Sequence, residues 1–345
     1  MDPVIITSIF TLGVLGLLFG SGLAYASKKF AIKIDPRLAK VVDLLPGVNC
    51  GGCGFPGCTA FAEAVLKGAA PVTGCGPGGK DVAGKIAGLL GVELEDMTPM
   101  VAVVQCQGSK DLAWDRFSYN GIQTCVIAHQ TSGGHKACPY GCLGFGDCVR
   151  SCNFDALHMG ENGLPVVDEE KCTACGACVT ACPRGIMKLI PVTQQVYVGC
   201  VSQDKGKAVR DVCKVGCIGC SLCAKTTPSG AIKMNGNLPE IDPSGTDLVI
   251  GVYKCPTKSL VDRVKVRGKV SIDSKCNGCT ECAKICPAKG AIQGEEGKRH
   301  KIVWENCIGC GICIPVCPVN AIHPMGALGY VDETQATGKA ASNRF

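Results

Sequence analysis

Cys307, Cys310, Cys313 and Cys317-Pro318 stand in the spacing C-x2-C-x2-C-x3-C-P, and this run restricts the fold more than any other feature of the chain. Three thiolates in so short a loop take three corners of an iron–sulfur cube, and the fourth cysteine of such a run normally ligates a second cluster. One run therefore implies a partner. Cys276, Cys279, Cys282 and Cys286-Pro287 supply it, and a third complete copy is Cys172, Cys175, Cys178 and Cys182-Pro183. In the last pair the usual crossing joins Cys276, Cys279 and Cys282 to Cys317, and Cys307, Cys310 and Cys313 to Cys286.

The 345 residues suffice for two or three domains. Their 28 cysteines do not suit a secreted disulfide scaffold, which is usually short and lacks this spacing. Paired C-x2-C knuckles also hold zinc, but a three-cysteine loop closed by Cys-Pro is a poor fit to a tetrahedral ion. Aromatic residues are only 5%, beside 46 glycines and 19 prolines. That composition suits small units with largely inorganic cores, in which metal binding supplies much of the folding free energy. The net charge of +6 is spread along the chain without a Lys/Arg run, so no nucleic-acid partner is implied. A weakly basic surface either steers an acidic redox protein or serves ordinary solubility.

Val4 to Ala26 is uncharged, apolar and long enough to span a bilayer. Ala24-Tyr25-Ala26 resembles a cleavage site, but a signal peptide wants a basic stretch before the apolar run, and only Asp2 precedes it. The positive charges, Lys28, Lys29 and Lys33, follow it, which predicts a retained anchor with the rest of the chain on the cytoplasmic side. A reducing cytosol also suits so many thiolates. Gly13, Gly16 and Gly20 give one small-residue face for packing on another membrane helix, or simply face lipid. The span carries no Asp, Glu, Lys, Arg or His, so it offers no ion path by itself.

Beyond the anchor, Cys50, Cys53, Cys58 and Cys75 have the spacing C-x2-C-x4-C-x16-C, with glycines that let backbone N–H groups approach sulfur. They describe a self-contained cluster site. Gly52, Gly54 and Gly57 also satisfy G-x-G-x-x-G, but no strand precedes them and the dinucleotide reading fails. A helix and loop over 78–100 lead to a strand at Val101 to Val104 that ends at Cys106.

A repeat follows. Cys125, Cys138 and Cys142 are spaced like Cys200, Cys213 and Cys217. In the first block Phe145 stands where a middle cysteine belongs, between Cys142, Cys148 and Cys152. Cys138 is the natural substitute, giving Cys138, Cys142 and Cys148 with Cys182, while Cys125 is the other candidate. The companion cube takes Cys172, Cys175 and Cys178 with Cys152. In the second block Thr227 replaces the fourth cysteine and the partner run is missing except for Cys255-Pro256. The survivors Cys217, Cys220, Cys223 and Cys255 are the complete ligand set of one crossed cube. One cluster has been deleted and one kept.

The count is six [4Fe–4S] clusters on 24 cysteines, leaving Cys106, Cys125, Cys200 and Cys213. These four are either buried structural thiols or a seventh site between the blocks. Fully cysteine-ligated cubes move single electrons and leave no open iron for substrate. No nucleotide, flavin or nucleophile constellation accompanies them, and His129, His135, His158, His300 and His323 lie outside any ligand spacing, as surface or loop residues. Several clusters on one anchored chain make an electron relay between a soluble donor and a membrane-bound acceptor.

The anchor, the Asn49-Cys50-Gly51-Gly52-Cys53-Gly54-Phe55-Pro56-Gly57-Cys58 box and the ferredoxin repeats, from the anchor to about residue 324, together resemble RnfB, the iron–sulfur subunit of ion-translocating Rnf complexes. The resemblance implies electrons taken from reduced ferredoxin and passed toward NAD reduction, coupled to sodium or proton export at the cytoplasmic membrane, with the other Rnf subunits (A, C, D, E and G) as partners. The shorter Rsx relatives reduce a redox-sensing transcription factor, and a free polyferredoxin is the soluble alternative. The expected fold is α+β. A transmembrane helix (1–27) precedes a mainly helical single-cluster domain (28–92) and a connecting segment (93–137). Ferredoxin-like β-α-β-β-α-β modules follow over 138–192, 193–262 and 263–324, the middle one with a single cluster, and then a disordered tail (325–345). The N-terminal cluster is expected to deliver electrons to the integral subunits and the C-terminal pair to receive them.

Overall fold

The computed structural model describes residues 3–30, 35–94 and 96–325; Asp2, Lys33 and the tail after Met325 lie outside them. Helix α1 (Pro3–Lys29) holds the apolar run. At 1.5 Å per residue it is about 40 Å long, enough to cross a membrane with some tilt. None of its apolar window is buried against the rest of the protein, unlike a core helix. Hydroxyls along it bond back to the helix: Thr11 Oγ1 donates to the Thr7 carbonyl at 2.9 Å and Ser21 Oγ to the Leu17 carbonyl at 2.7 Å. Such bonds satisfy those hydroxyls in an apolar medium.

Three helices form the next unit: α2 (Pro36–Leu44), α3 (Cys58–Leu66) and α4 (Gly79–Leu90). Asp35 caps α2 by accepting the Arg37 N–H at 2.8 Å, with Pro36 opening the first turn. Gly91, at φ 69°, ends α4 in the left-handed conformation usual after a helix C-terminus. Val41, Phe61, Ala62, Val65 and Ile86 make a small buried core between them.

The remaining chain repeats one pattern three times, in which outer strands pair around an inner hairpin. In the first unit β1 (Met100–Val104) is followed by α5 (Cys125–Gln130), α6 (Asp147–Arg150), β2 (Leu157–Met159), β3 (Pro165–Val167), α7 (Ala177–Ala181) and β4 (Met187–Pro191). Strands β1 and β4 are antiparallel with Ala102 opposite Leu189, and β2 pairs with β3. The strand expected within the connecting segment therefore becomes an outer strand of this unit, because Val101, Ala102 and Val103 are buried. In the second unit β5 (Val196–Val198), α8 (Lys207–Arg210), α9 (Leu222–Thr226), β6 (Ile232–Asn235), β7 (Leu238–Ile241), α10 (Leu248–Lys254) and β8 (Leu260–Asp262) follow in order. Here β5 pairs with β8 and β6 with β7. The third unit has β9 (Lys269–Ile272), α11 (Glu281–Ile285), β10 (Ile292–Gln293), β11 (Lys301–Ile302) and β12 (Ile322–Met325), with β9 on β12 and β10 on β11. Every sheet among the described residues has two strands. Such sheets are marginal alone, so the loops must be held by something else.

Candidate iron–sulfur sites

Five loops share one backbone shape. The residues two and four places after the first cysteine have positive φ: Gly144 and Gly146, Ala174 and Gly176, Gly219 and Ser221, Gly278 and Thr280, Gly309 and Gly311, all between 54° and 80°. Left-handed residues are costly for Ala, Ser and Thr, so the repetition marks a common requirement. Alternating handedness turns successive N–H groups inward, into a concavity suited to an anion such as a thiolate-ligated cluster.

The cysteines ring these concavities. Cys152, Cys172, Cys175 and Cys178 line one hollow. Burial, and then repulsion from Cys172, Cys175, Cys148 and Cys152, push the Cys178 thiol up to about 12. Cys276, Cys279, Cys282 and Cys317 line another hollow. Cys286, Cys307, Cys310 and Cys313 stand together, since burial first and then repulsion from Cys310, Cys307 and Cys286 push Cys313 up to about 12. Cys50, Cys53, Cys58 and Cys75 ring a void between α3 and the loop before α4. There Asn49 Oδ1 accepts the Cys58 N–H at 2.8 Å. Cys217, Cys220, Cys223 and Cys255 also meet: burial, then repulsion among them, raises Cys223 to about 11. Burial opposes the Cys255 thiolate too, but hydrogen bonds from the Ser259 hydroxyl and the Ser259, Leu260 and Thr257 N–H groups outweigh it and lower its pKa.

One set differs from the spacing argument. The void of the first loop is lined by Cys125, Cys142, Cys148 and Cys182, and Cys138 does not line it. Phe145 turns its ring outward onto Tyr119 and His135, at centroid distances of 5.4 and 5.3 Å. Its backbone N–H, with that of Asp147, instead faces the Cys125 sulfur. Helix α5 presents Cys125 in its first turn, and the Val126 N–H donates to Asp147 Oδ2 at 3.1 Å, which fixes α5 to the loop. Cys138 lies with Cys106, Cys200 and Cys213.

The residues present fit [4Fe–4S] clusters. Among the described residues no three Cys, His or carboxylate side chains converge as a single ion requires; the sulfurs stand apart around a space. One void also carries a buried N–H donor without a partner, Arg184 Nε. His300 is only 1% exposed and not a surface residue, because Gly294 leaves room for its ring: a Cβ there would come within 2.7 Å of His300 Cγ. A cluster sulfide satisfies a donor such as Arg184 Nε, which otherwise costs about 1–3 kcal/mol when buried.

The thiol sets also adjoin one another. A Cβ on Gly52 would lie 1.8 Å from the Cys175 carbonyl oxygen, so the N-terminal loop rests directly on the next set. Cys178 and Cys148 are close enough to repel as thiolates, as are Cys217 and Cys200. Lys254 Nζ donates to the Pro287 carbonyl at 2.8 Å, joining the residues beside Cys255 and Cys286.

Comparison with known proteins agrees with this chemistry. The family described as "Putative Fe-S cluster" matches residues 45–77, a "4Fe-4S binding domain" matches 165–188, and a "4Fe-4S dicluster domain" matches 270–324. The chain is 42% identical over 289 residues to the B component of the ion-translocating oxidoreductase complex of Methanosarcina acetivorans, covering 84% of this chain and 98% of that protein. It is 43% identical to the B component of the Na(+)-translocating ferredoxin:NAD(+) oxidoreductase complex of Acetobacterium woodii, covering 82% of this chain and 76% of that one. The B component of the proton-translocating ferredoxin:NAD(+) oxidoreductase complex of Clostridium ljungdahlii is 46% identical, over 74% of this chain and 92% of the relative.

Proposed function

The chain belongs to the RnfB family of ion-translocating oxidoreductase complexes, and on that premise we propose that it is the membrane-anchored electron-transfer subunit that accepts electrons from reduced ferredoxin and passes them toward NAD reduction, coupled to sodium or proton export. When bound, [4Fe–4S] clusters supply the one-electron carriers. The chain's own part is to hold them: Cys50, Cys53, Cys58 and Cys75; Cys152, Cys172, Cys175 and Cys178; Cys125, Cys142, Cys148 and Cys182; Cys217, Cys220, Cys223 and Cys255; Cys286, Cys307, Cys310 and Cys313; and Cys276, Cys279, Cys282 and Cys317. The observations that carry this reading are the seating of the N-terminal loop on the Cys175 set, the nearness of Cys178 to Cys148, and the Lys254–Pro287 hydrogen bond between the second and third units. A chain that only stored iron would need no such continuity.

Helix α1 is the single membrane anchor, and Lys28 and Lys29 at its end keep the clusters on the cytoplasmic face. The other Rnf subunits (A, C, D, E and G) are its partners. With no Asp, Glu, Lys, Arg or His from Ile5 to Tyr25, the protein conveys electrons and leaves the ion path to them. Residues 263–324 hold ten lysines and arginines against five carboxylates. That excess suits docking of an acidic ferredoxin, so electrons arrive at the C-terminal unit and leave from the Cys50 set. Stopped-flow reduction of the full chain by reduced ferredoxin tests the assignment. Cys279→Ser should slow the first electron at least tenfold, with membrane fractionation unchanged. An unaltered rate would place the arrival point elsewhere.

A further inference from the structure

We propose that Cys106, Cys138, Cys200 and Cys213 form a seventh [4Fe–4S] site at the junction of the first two ferredoxin-like units. Residues 112–116 act as a short ribbon between two flanks. On one side Ala113 bridges Cys213, with the Trp114 N–H donating to the Val212 carbonyl at 3.1 Å and the Lys214 N–H to that of Leu112 at 2.9 Å. On the other, Asp115 bridges Lys136, and the Ala137 N–H donates to the Trp114 carbonyl at 2.9 Å. Cys213 and Cys138 are thereby brought to one place from segments 75 residues apart in sequence. Gly108 locates the third sulfur: a Cβ built there would stand 3.5 Å from Cys213 Sγ and 3.7 Å from Cys106 Sγ. Cys200 completes the group, its neighbour Gly199 lying against Gln107, next to Cys106.

Each of the four sulfurs accepts the backbone N–H two residues further on, from Gly108, Tyr140, Ser202 and Val215 respectively. Cys142, Cys175, Cys217, Cys286 and Cys310 are bound in the same way in the loops already described. Buried structural thiols behave as small apolar groups and need neither convergence nor this donor pattern. Glycine also stands close to these sulfurs: a Cβ on Gly141 or Gly216 would lie 3.7 Å from Cys138 Sγ or 3.8 Å from Cys213 Sγ. The Lys136 ammonium, nearly buried and 2.8 Å from Asp115, gives the site a cation beside its thiolates. The sulfurs are near enough to repel one another once ionised, and burial together with that repulsion pushes Cys138 up to about 11.

The position gives the site its purpose. The Cys142 N–H donates to Cys106 Sγ at 3.5 Å, and Cys200 lies beside Cys217. Cys106 and Cys200 thus touch the thiol sets of the first and second units and fill the space between them. The inference rests on the reading of this chain as an iron–sulfur protein, and one measurement separates the two. Iron, acid-labile sulfide and zinc are counted per chain on anaerobically purified full-length protein, with clusters enumerated by native mass spectrometry. Seven sites give about 28 irons and 28 sulfides without zinc. The double variant Cys138→Ser/Cys213→Ser then falls to about 24 irons and loses one of seven reducible clusters by electron paramagnetic resonance spin count. Wild-type protein with about 24 irons, with or without one zinc, overturns the seventh site and leaves the six-cluster reading standing. Abundant zinc with little sulfide overturns both. Should the double variant lose all its iron through misfolding, the wild-type count of 28 or 24 decides alone.

Discussion

The second and third ferredoxin-like units have the same strand pairing but solve the problem of their interior differently. In the third, cysteines dominate: Cys276, Cys282, Cys307, Cys313 and Cys317 pack into one cluster with Val270, Ile272, Ala321 and Ile322. In the second, helix α10 occupies the place of the missing loop and buries Leu248, Val249 and Ile250. Gly251 packs so closely that a Cβ would come within 2.6 Å of Ile232 Cδ1. Thr227, standing for the absent fourth cysteine, is buried and donates its hydroxyl to the Cys223 carbonyl at 2.9 Å. One frame thus accepts either an inorganic cube or a turn of aliphatic helix. The difference teaches that half of such a unit can be carried by the hydrophobic effect when metal is removed from its design.

The largest test of that contrast is iron chelation, followed by hydrogen exchange along the full chain. Strands β9 to β12 should lose nearly all protection, while α10, β6 and β7 keep a substantial part. Uniform loss would show that the aliphatic half does not stand on its own. Next in size, Leu248→Ala should destabilise the second unit by about 2–5 kcal/mol through cavity formation, with no change in iron content. Smallest is Thr227→Cys. It restores a thiol to its old position, yet iron per chain should stay constant, because α10 fills the volume and the three partner cysteines are absent. A gain of four irons would sharpen the comparison in the opposite direction, by showing α10 to be displaceable.

Much of this was legible from spacing, because three cysteines within seven residues leave the chain few ways to turn. The iron–sulfur domains and the apolar N-terminal helix are of this kind. Cys125 was not. Its place beside Cys142, Cys148 and Cys182 depends on the N–H of Phe145, on Asp147 fixing α5, and on Phe145 turning toward Tyr119 and His135. Those contacts are tertiary, and sequence distance favoured Cys138 instead. The strand Met100–Val104 was visible as a strand, but its partner lies more than 80 residues downstream, which no local pattern specifies. His300 looked like a loop residue because the hollow beneath Gly294 that receives its ring appears only after folding.

Gly52 carries a further consequence. Electron tunnelling falls off exponentially with separation, so the gap between the Cys50 and Cys175 sets is a rate setting as much as a contact. A side chain at residue 52 would meet the Cys175 carbonyl oxygen at 1.8 Å and force the two loops apart. The missing methyl group therefore works as a spacer of zero thickness, a gauge fixing the separation of these two thiol sets.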